Sequence, residues 1–140
     1  MPIPEAQADE YKEVAWGINK CGEKFTPIHI NRAIVRDFDV KIDIHFCGIC
    51  HSDVHCGLNE LGGVKYPVVP GHEMVGVVTE VGSKVTKVKV GDKAGIGCIT
   101  DACLDCEACQ NNDENYCLKF GICGTYNSIK RPDGHYGGNL

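Results

Sequence analysis

Hydrophobic and polar residues alternate along several short segments of this chain, the pattern of strands that bury one face. In the clearest segment, residues 40–46, Val40, Ile42, Ile44 and Phe46 point to one side and the polar residues between them point to the other. Residues 74–81 are rich in β-branched side chains between two glycines, which predicts a buried strand. Weaker strand predictions cover residues 11–18, 33–36, 85–90 and 93–99.

These short strands are separated by glycine-containing turns, and only residues 50–58 have the length and composition of a short helix. The pattern predicts a mainly β fold, a compact and partly open β-barrel with few short helices. Residues 101–119 are polar and cysteine-rich, and we expect them to project as a lobe. Residues 121–140 are rich in turn formers. No G-x-G-x-x-G motif follows a strand and no βαβ alternation occurs, so we expect no dinucleotide-binding domain in these residues.

Composition and net charge limit the kinds of binding partner that we expect. The chain has 140 residues, 43% of them hydrophobic, which suits one globular domain. Its net charge is -5 with no basic block, so we expect neither nucleic acid nor an anionic membrane as a partner. Residues 1–11 show no apolar signal region, and no apolar run approaches membrane-spanning length. We therefore expect a cytoplasmic protein.

Ten cysteines without a signal region favour metal binding over a disulfide framework. Four of them form a C-x2-C-x2-C-x7-C run, a spacing that lets four thiolates close around zinc in a purely structural site. The fourth spacing and the missing proline argue against an iron–sulfur cluster. The run consists of Cys103, Cys106, Cys109 and Cys117. The cysteines without a partner at motif spacing are interpreted as small buried or half-buried apolar residues: Cys21, Cys56, Cys98 and Cys123.

A second group of metal-ligating residue types lies upstream. Cys50, His72 and Glu73 together offer sulfur, nitrogen and oxygen donors that suit zinc, and a site with an open position could activate a substrate oxygen. Spacing alone favours a different interpretation of His72, as a hydrogen-bonded core histidine that follows a turn. Cys47 and Cys50 also form a C-x-x-C motif, although the βαβ setting of a thioredoxin-like redox site is missing.

Taken together, four motifs resemble the zinc-dependent medium-chain alcohol dehydrogenases, in their N-terminal GroES-like catalytic domain. The motifs are C-G-I-C-H-S-D-V-H at residues 47–55, Y-P-V-V-P-G-H-E at 66–73, V-G-D at 90–92 and the cysteine lobe ending E-N-Y-C at Cys117. The G-T-Y-N-S at residues 124–128 is similar to the cinnamyl alcohol dehydrogenase branch and its bacterial aldehyde-reductase relatives. The resemblance covers residues 11–138, so residues 1–140 are interpreted as one such domain that is incomplete at its C-terminal end.

The resemblance implies a role for each matching residue. Cys50 and His72 would be ligands of a catalytic zinc, with Glu73 an alternate ligand and Cys47 a structural neighbour. The four-cysteine run would bind a structural zinc. Three residues of the C-x-x-C-H-S-D-V-H motif would serve catalysis and cofactor binding: Ser52 and His55 as a proton relay from the alcohol, and His51 at the cofactor pyrophosphate. Asp53 would orient His72, or else serve only as a first-turn acid stabilised by the helix dipole.

The function implied is the interconversion of a primary alcohol of the cinnamyl type and its aldehyde, and the resemblance favours NADP over NAD as the cofactor. The family's third catalytic ligand and its Rossmann domain do not occur in these residues, so we expect the 140-residue chain alone to be inactive. Full-length family members are expected to form homodimers. Two alternatives stay open: a non-catalytic zinc-binding module, and a thiol redox protein that uses Cys47 and Cys50.

Overall fold

The computed structural model describes residues 10–119, 121 and 123–128. These residues form seven strands and few helices. Strands β1 (Glu10–Gly17) and β2 (Thr26–Ala33) pair antiparallel along their whole length, from Glu10 opposite Ala33 to Gly17 opposite Thr26. Strands β3 (Val40–Cys47), β4 (Met74–Val81) and β5 (Lys93–Ile96) form a second antiparallel sheet. The short strands β6 (Ile99–Asp101) and β7 (Cys123–Gly124) pair with each other.

The predicted fold class is confirmed: the described residues are mainly strands, and their sheets do not close into a barrel. Helix α1 (His51–Leu58) begins after Cys50 and ends at Asn59, whose φ of 53° is left-handed. Gly62 and Gly63 follow at φ 75° and 80°, where glycine is the least strained residue. The remaining helical turns are α2 (Glu107–Gln110) and a 3-10 turn, Glu114–Tyr116. No helix among the described residues is long and apolar enough to cross a membrane.

Three of the weaker strand predictions are wrong in extent. Residues 34–36 form no strand, because the chain pairs with β1 over Thr26–Ala33 and then turns where Asp39 N–H donates to Arg36 O. Residues 85–90 form no strand either, because the chain hydrogen-bonds with β4 only from residues 91 and 92 onwards. Residues 93–99 are split at Gly97 because β5 pairs with β4 whereas β6 pairs with β7. The end of the turn-rich segment, residues 129–140, lies outside the described residues.

The buried core that positions the site is small. Ile18, Cys56 and Val68 pack together, and Ile18 and Val68 exchange two backbone hydrogen bonds of 2.9 and 3.0 Å. Through Cys56 the same cluster also joins the end of β1 to helix α1. The apolar side of β3 is less covered than its pattern predicts, since the Phe46 side chain is 74% exposed.

The four unassigned cysteines divide into two classes. Cys56 and Cys123 are buried, which confirms their interpretation as small apolar residues. Cys21 and Cys98 are exposed, so that interpretation is wrong for them. Cys21 lies in the connection that follows β1, where its thiol donates to Leu58 O, and Cys98 lies at the break between β5 and β6.

Candidate metal centres and active site

Asp53 ties the start of helix α1 to the segment that carries His72. Its Oδ2 accepts the N–H of Cys50 at 3.0 Å, and its Oδ1 accepts the N–H of Gly71 at the same distance. The carboxyl is buried, and Oδ1 also lies 3.3 Å from His72 Nδ1. A carboxylate beside one imidazole nitrogen fixes the ring and leaves the other nitrogen free to bind a metal.

Cys50, His72 and Glu73 converge, although Cys50 and His72 are 22 positions apart in the sequence. Each offers one ligand atom, and these atoms all lie within 4.8 Å of one another. The Ser52 hydroxyl and N–H, followed by His72, lower the pKa of the Cys50 thiol and so favour the thiolate that binds metal. A thiolate, an imidazole and a carboxylate form a donor set that fits zinc.

Gly48 makes the room for Glu73 in this cluster. A Cβ at position 48 would lie 2.2 Å from Glu73 Oε2, far inside van der Waals contact. The Gly48 N–H also donates to Glu73 O at 3.0 Å. The glycine of the C-G-I-C motif thus lets the carboxylate lie beside Cys50 and His72.

A cleft of about 230 Å³ opens beside His72. Ser52 Oγ lies 3.4 Å from His72 Nε2 on its wall, and the ring centroids of Tyr126 and His72 are 5.8 Å apart. Burial raises the pKa of Tyr126 to about 12, so this side chain stays a neutral phenol. The residues that line the cleft are Ser52, His72, Cys98, Gly124, Thr125 and Tyr126.

Hydrogen bonds with distant segments hold the loop that carries Tyr126. Asn127, at φ 58°, accepts the N–H of Lys65 at 2.9 Å through its side chain. The N–H of Thr125 donates to Cys98 O at 3.2 Å. The loop therefore presents Tyr126 to the cleft from a fixed backbone.

The two histidines of helix α1 lie next to each other on its surface. The rings of His51 and His55 meet edge to face with centroids 4.6 Å apart, and His55 Nδ1 lies 2.5 Å from Glu60 Oε2. Ser52 and His55 are three positions apart, which makes them neighbours on a helix surface.

The four cysteines of the lobe form a second cluster, with all sulfur atoms within 4.8 Å of one another. Cys109 Sγ lies 3.8 Å from Cys103 Sγ and 3.5 Å from Cys106 Sγ. Zinc–sulfur bonds of about 2.3 Å give a tetrahedron with edges of about 3.8 Å, so the spacing fits one zinc ion. Cys117 Sγ accepts a hydrogen bond from the N–H of Cys103, which links the last cysteine of the run to the first.

Backbone N–H groups of the lobe stabilise negative charge on a cysteine sulfur. The N–H groups of Cys109 and Leu118 lower the pKa of Cys106 to about 6. Burial has the opposite effect on Cys109 and raises its pKa to about 12. The lobe therefore favours the thiolate at Cys106 and the thiol at Cys109.

The structure thus brings together both predicted ligand groups and places Ser52 beside His72. It places Cys47 in β3 with an exposed side chain, and Cys47 is not among the clustered ligand atoms. The sequence analysis did not assign three residues to the site that the structure places there: Gly48, Cys98 and Tyr126. The G-T-Y-N-S motif was the available signal for Tyr126, whereas no spacing pointed to Cys98.

Comparisons with known proteins agree on one family. The model of the alcohol dehydrogenase GroES-like domain matches residues 36–135. The chain is 52% identical over 117 residues to NADP-dependent alcohol dehydrogenase C 1 of Mycolicibacterium smegmatis, covering 84% of this chain and 34% of that protein. It is 53% identical over 123 residues to the probable formaldehyde dehydrogenase AdhA of Bacillus subtilis, covering 86% and 35%. The chain spans about a third of the length of the curated relatives it matches.

Solved structures show the same similarity. A cinnamyl alcohol dehydrogenase from Sorghum bicolor superposes with a TM-score of 0.83 at 41% identity, covering 91% of this chain and 36% of that one. A CAD from Helicobacter pylori complexed with NADP(H) gives a TM-score of 0.82 at 36% identity, covering 94% and 39%. The motifs, the fold and these matches together show that the chain belongs to the alcohol dehydrogenase GroES-like domain family.

Proposed function

We propose that this chain forms the zinc-binding, substrate-activating part of an oxidoreductase that interconverts a primary alcohol of the cinnamyl type and its aldehyde. The observation that carries the proposal is the convergence of Cys50, His72 and Glu73 beside the Ser52 hydroxyl at an open cleft. When bound there, zinc supplies a Lewis acid for a substrate oxygen. A second zinc in the four-cysteine lobe has a structural role.

Other residues of the site transfer the proton, position the ligands and shape the cleft. Ser52 holds the hydroxyl proton of the alcohol within the cleft, and His55, its neighbour one turn along α1, passes that proton to solvent. Asp53 fixes the His72 ring, and Gly48 leaves Glu73 free to approach Cys50. Tyr126 forms an aromatic wall of the cleft beside Ser52.

NADP is the proposed cofactor. One relative is named as NADP-dependent, and one similar solved structure is a complex with NADP(H). His51, exposed at the first position of α1, is the proposed contact to the cofactor pyrophosphate. The described residues form no unit that could hold a dinucleotide, so we expect no useful turnover from the 140-residue chain by itself. The homodimer expected of full-length relatives is likewise a proposal.

A chimera tests the function directly. Residues 10–128 would replace the matching segment of the Mycolicibacterium smegmatis relative, and NADPH-dependent reduction of cinnamaldehyde would be measured. We expect turnover, and a loss of about 10²–10⁴-fold on Ser52→Ala because that change removes the proton-transfer group. Thr86→Ala, at an exposed position, is the matched control. A chimera that binds two zinc ions but does not turn over, or that keeps full activity with Ser52→Ala, would contradict the proposal.

A further inference from the structure

The surface of helix α1 carries a pair of histidines that the four-cysteine and Cys50 clusters do not use. His51 and His55 are four residues apart, the spacing that places two imidazoles on one face of a helix for joint metal binding. We propose that His51 and His55 form a third divalent-cation site, which binds ions such as Ni²⁺ or Cu²⁺ through their two imidazoles.

The distance between the rings fits a shared ion. With a metal–nitrogen bond of about 2.1 Å, an ion lies about 3.2 Å from the centre of each ring, so two rings on one ion have centroids about 4.5–5.2 Å apart. The observed separation is 4.6 Å. The rings meet edge to face at 74°, so one of them must also rotate about its side-chain bonds before a nitrogen of each ring points to the same ion.

Glu60 supplies the partner that histidine ligands usually have. Its carboxylate contacts His55 Nδ1, which keeps the proton on that nitrogen and leaves Nε2 with its lone pair free. His51 is exposed and the His55 side chain is 36% exposed, so an ion can reach the pair from solvent and keep waters in its remaining positions.

The chemistry of the pair differs from that of the two cysteine-containing clusters. Those clusters contain thiolates, which favour zinc, whereas two imidazoles and water suit Ni²⁺ and Cu²⁺. One consequence rests on the proposed function: an ion on His55 would occupy the nitrogen that accepts the relayed proton. The binding itself does not depend on that role.

Calorimetric titration of Ni²⁺ into the zinc-saturated chain tests the site. We expect one additional Ni²⁺, bound at least about tenfold more weakly after His51→Gln or His55→Gln, and about tenfold more weakly after Glu60→Gln. His29→Gln and His45→Gln, at two other exposed histidines, should leave binding unchanged. Zinc content, measured on every variant, reports whether the fold is intact. No additional Ni²⁺, or undiminished binding in the His51→Gln/His55→Gln double variant, would overturn the proposal.

A measurement on the unmodified chain avoids the risk that a variant misfolds. Long-range proton–nitrogen NMR resolves the imidazole nitrogens, and Zn²⁺ added in excess to the chain that already holds zinc in its two cysteine-containing clusters serves as a diamagnetic probe. We expect shifts at one nitrogen each of His51 and His55. Shifts at His29 and His45 instead, or none at all, would equally overturn the site.

Discussion

Single side chains decide the geometry around His72. Asp53 accepts two backbone N–H groups from segments that are distant in sequence, at Cys50 and Gly71, and lies against the imidazole of His72. Its position in the first turn of α1 also suits a carboxylate, because the helix dipole favours negative charge there. The dipole does not explain the contact with Gly71, so we infer that Asp53 positions His72 as well as stabilising the helix.

Asp53→Asn should separate these effects. The variant places an amide NH₂ against N–H donors, so we expect the free energy of unfolding, measured in denaturant, to fall by about 1–3 kcal/mol. Metal affinity at the Cys50 cluster should fall by about 10–100-fold while the four-cysteine site keeps its zinc. Chelator competition measures both sites, and Asp43→Asn, at an exposed position in β3, is the control. Unchanged affinity at the Cys50 cluster would show that Asp53 does not position His72.

Gly48→Ala tests the place of Glu73. The new Cβ would displace the Glu73 carboxylate, the far end of a flexible side chain, and would lie only 3.0 Å from Glu73 Cβ, so we expect the carboxylate to move and stability to fall modestly. Metal affinity at the Cys50 cluster should fall to the value of a Glu73→Gln variant. Gly97→Ala is the matched control, because a Cβ at position 97 would meet nothing within 4 Å. Full affinity in Gly48→Ala would exclude Glu73 as a ligand.

The lobe at residues 101–119 contains elements too short to be stable alone. Helix α2 has four residues and the 3-10 turn has three, whereas isolated helices need about 12–15 residues in water. The buried residues of the lobe are Ala102 and three of the four cysteines. A metal ion between the sulfur atoms would therefore take the place of a hydrophobic core.

Removal of zinc should unfold this lobe selectively. We expect a strong chelator to raise amide hydrogen exchange across residues 102–118 and to leave β3 and β4 protected, because those strands pair through their own backbone bonds. Cys106→Ser should reproduce the effect without chelator. Equal exchange in the lobe with and without zinc would contradict a structural role for the metal.

Zinc binding in the lobe should also depend on pH. Because burial raises the pKa of Cys109 to about 12, this thiol must lose a proton when it binds metal. Protons compete with zinc, so the apparent affinity should fall as pH falls. Competition with a pH-insensitive zinc indicator at several pH values measures this, and a pH-independent affinity would contradict the protonated state of Cys109.

Across the molecule as a whole, the features that could be predicted from the sequence are those that a local residue pattern determines. Helix α1 and strand β4 follow from residues within each segment, and both ligand groups follow from donor type and family resemblance. The split at Gly97 depends on which partner each half pairs with, which no local pattern records. The cleft wall at Tyr126 depends on Asn127 docking against Lys65, a contact across 62 positions of sequence. The exposure of Phe46 likewise depends on what packs over β3.

The proposed function requires two separate cysteine-containing zinc sites of different kinds, the Cys50 cluster and the four-cysteine lobe. Native mass spectrometry of the intact chain, with His72→Ala and Cys106→Ser beside it, counts these ions. We expect two zinc ions in the unmodified chain and one in each variant, with the remaining ion in the other cluster. Two ions retained in His72→Ala would remove the Cys50 cluster as a metal site, and no zinc in the unmodified chain would contradict the account entirely.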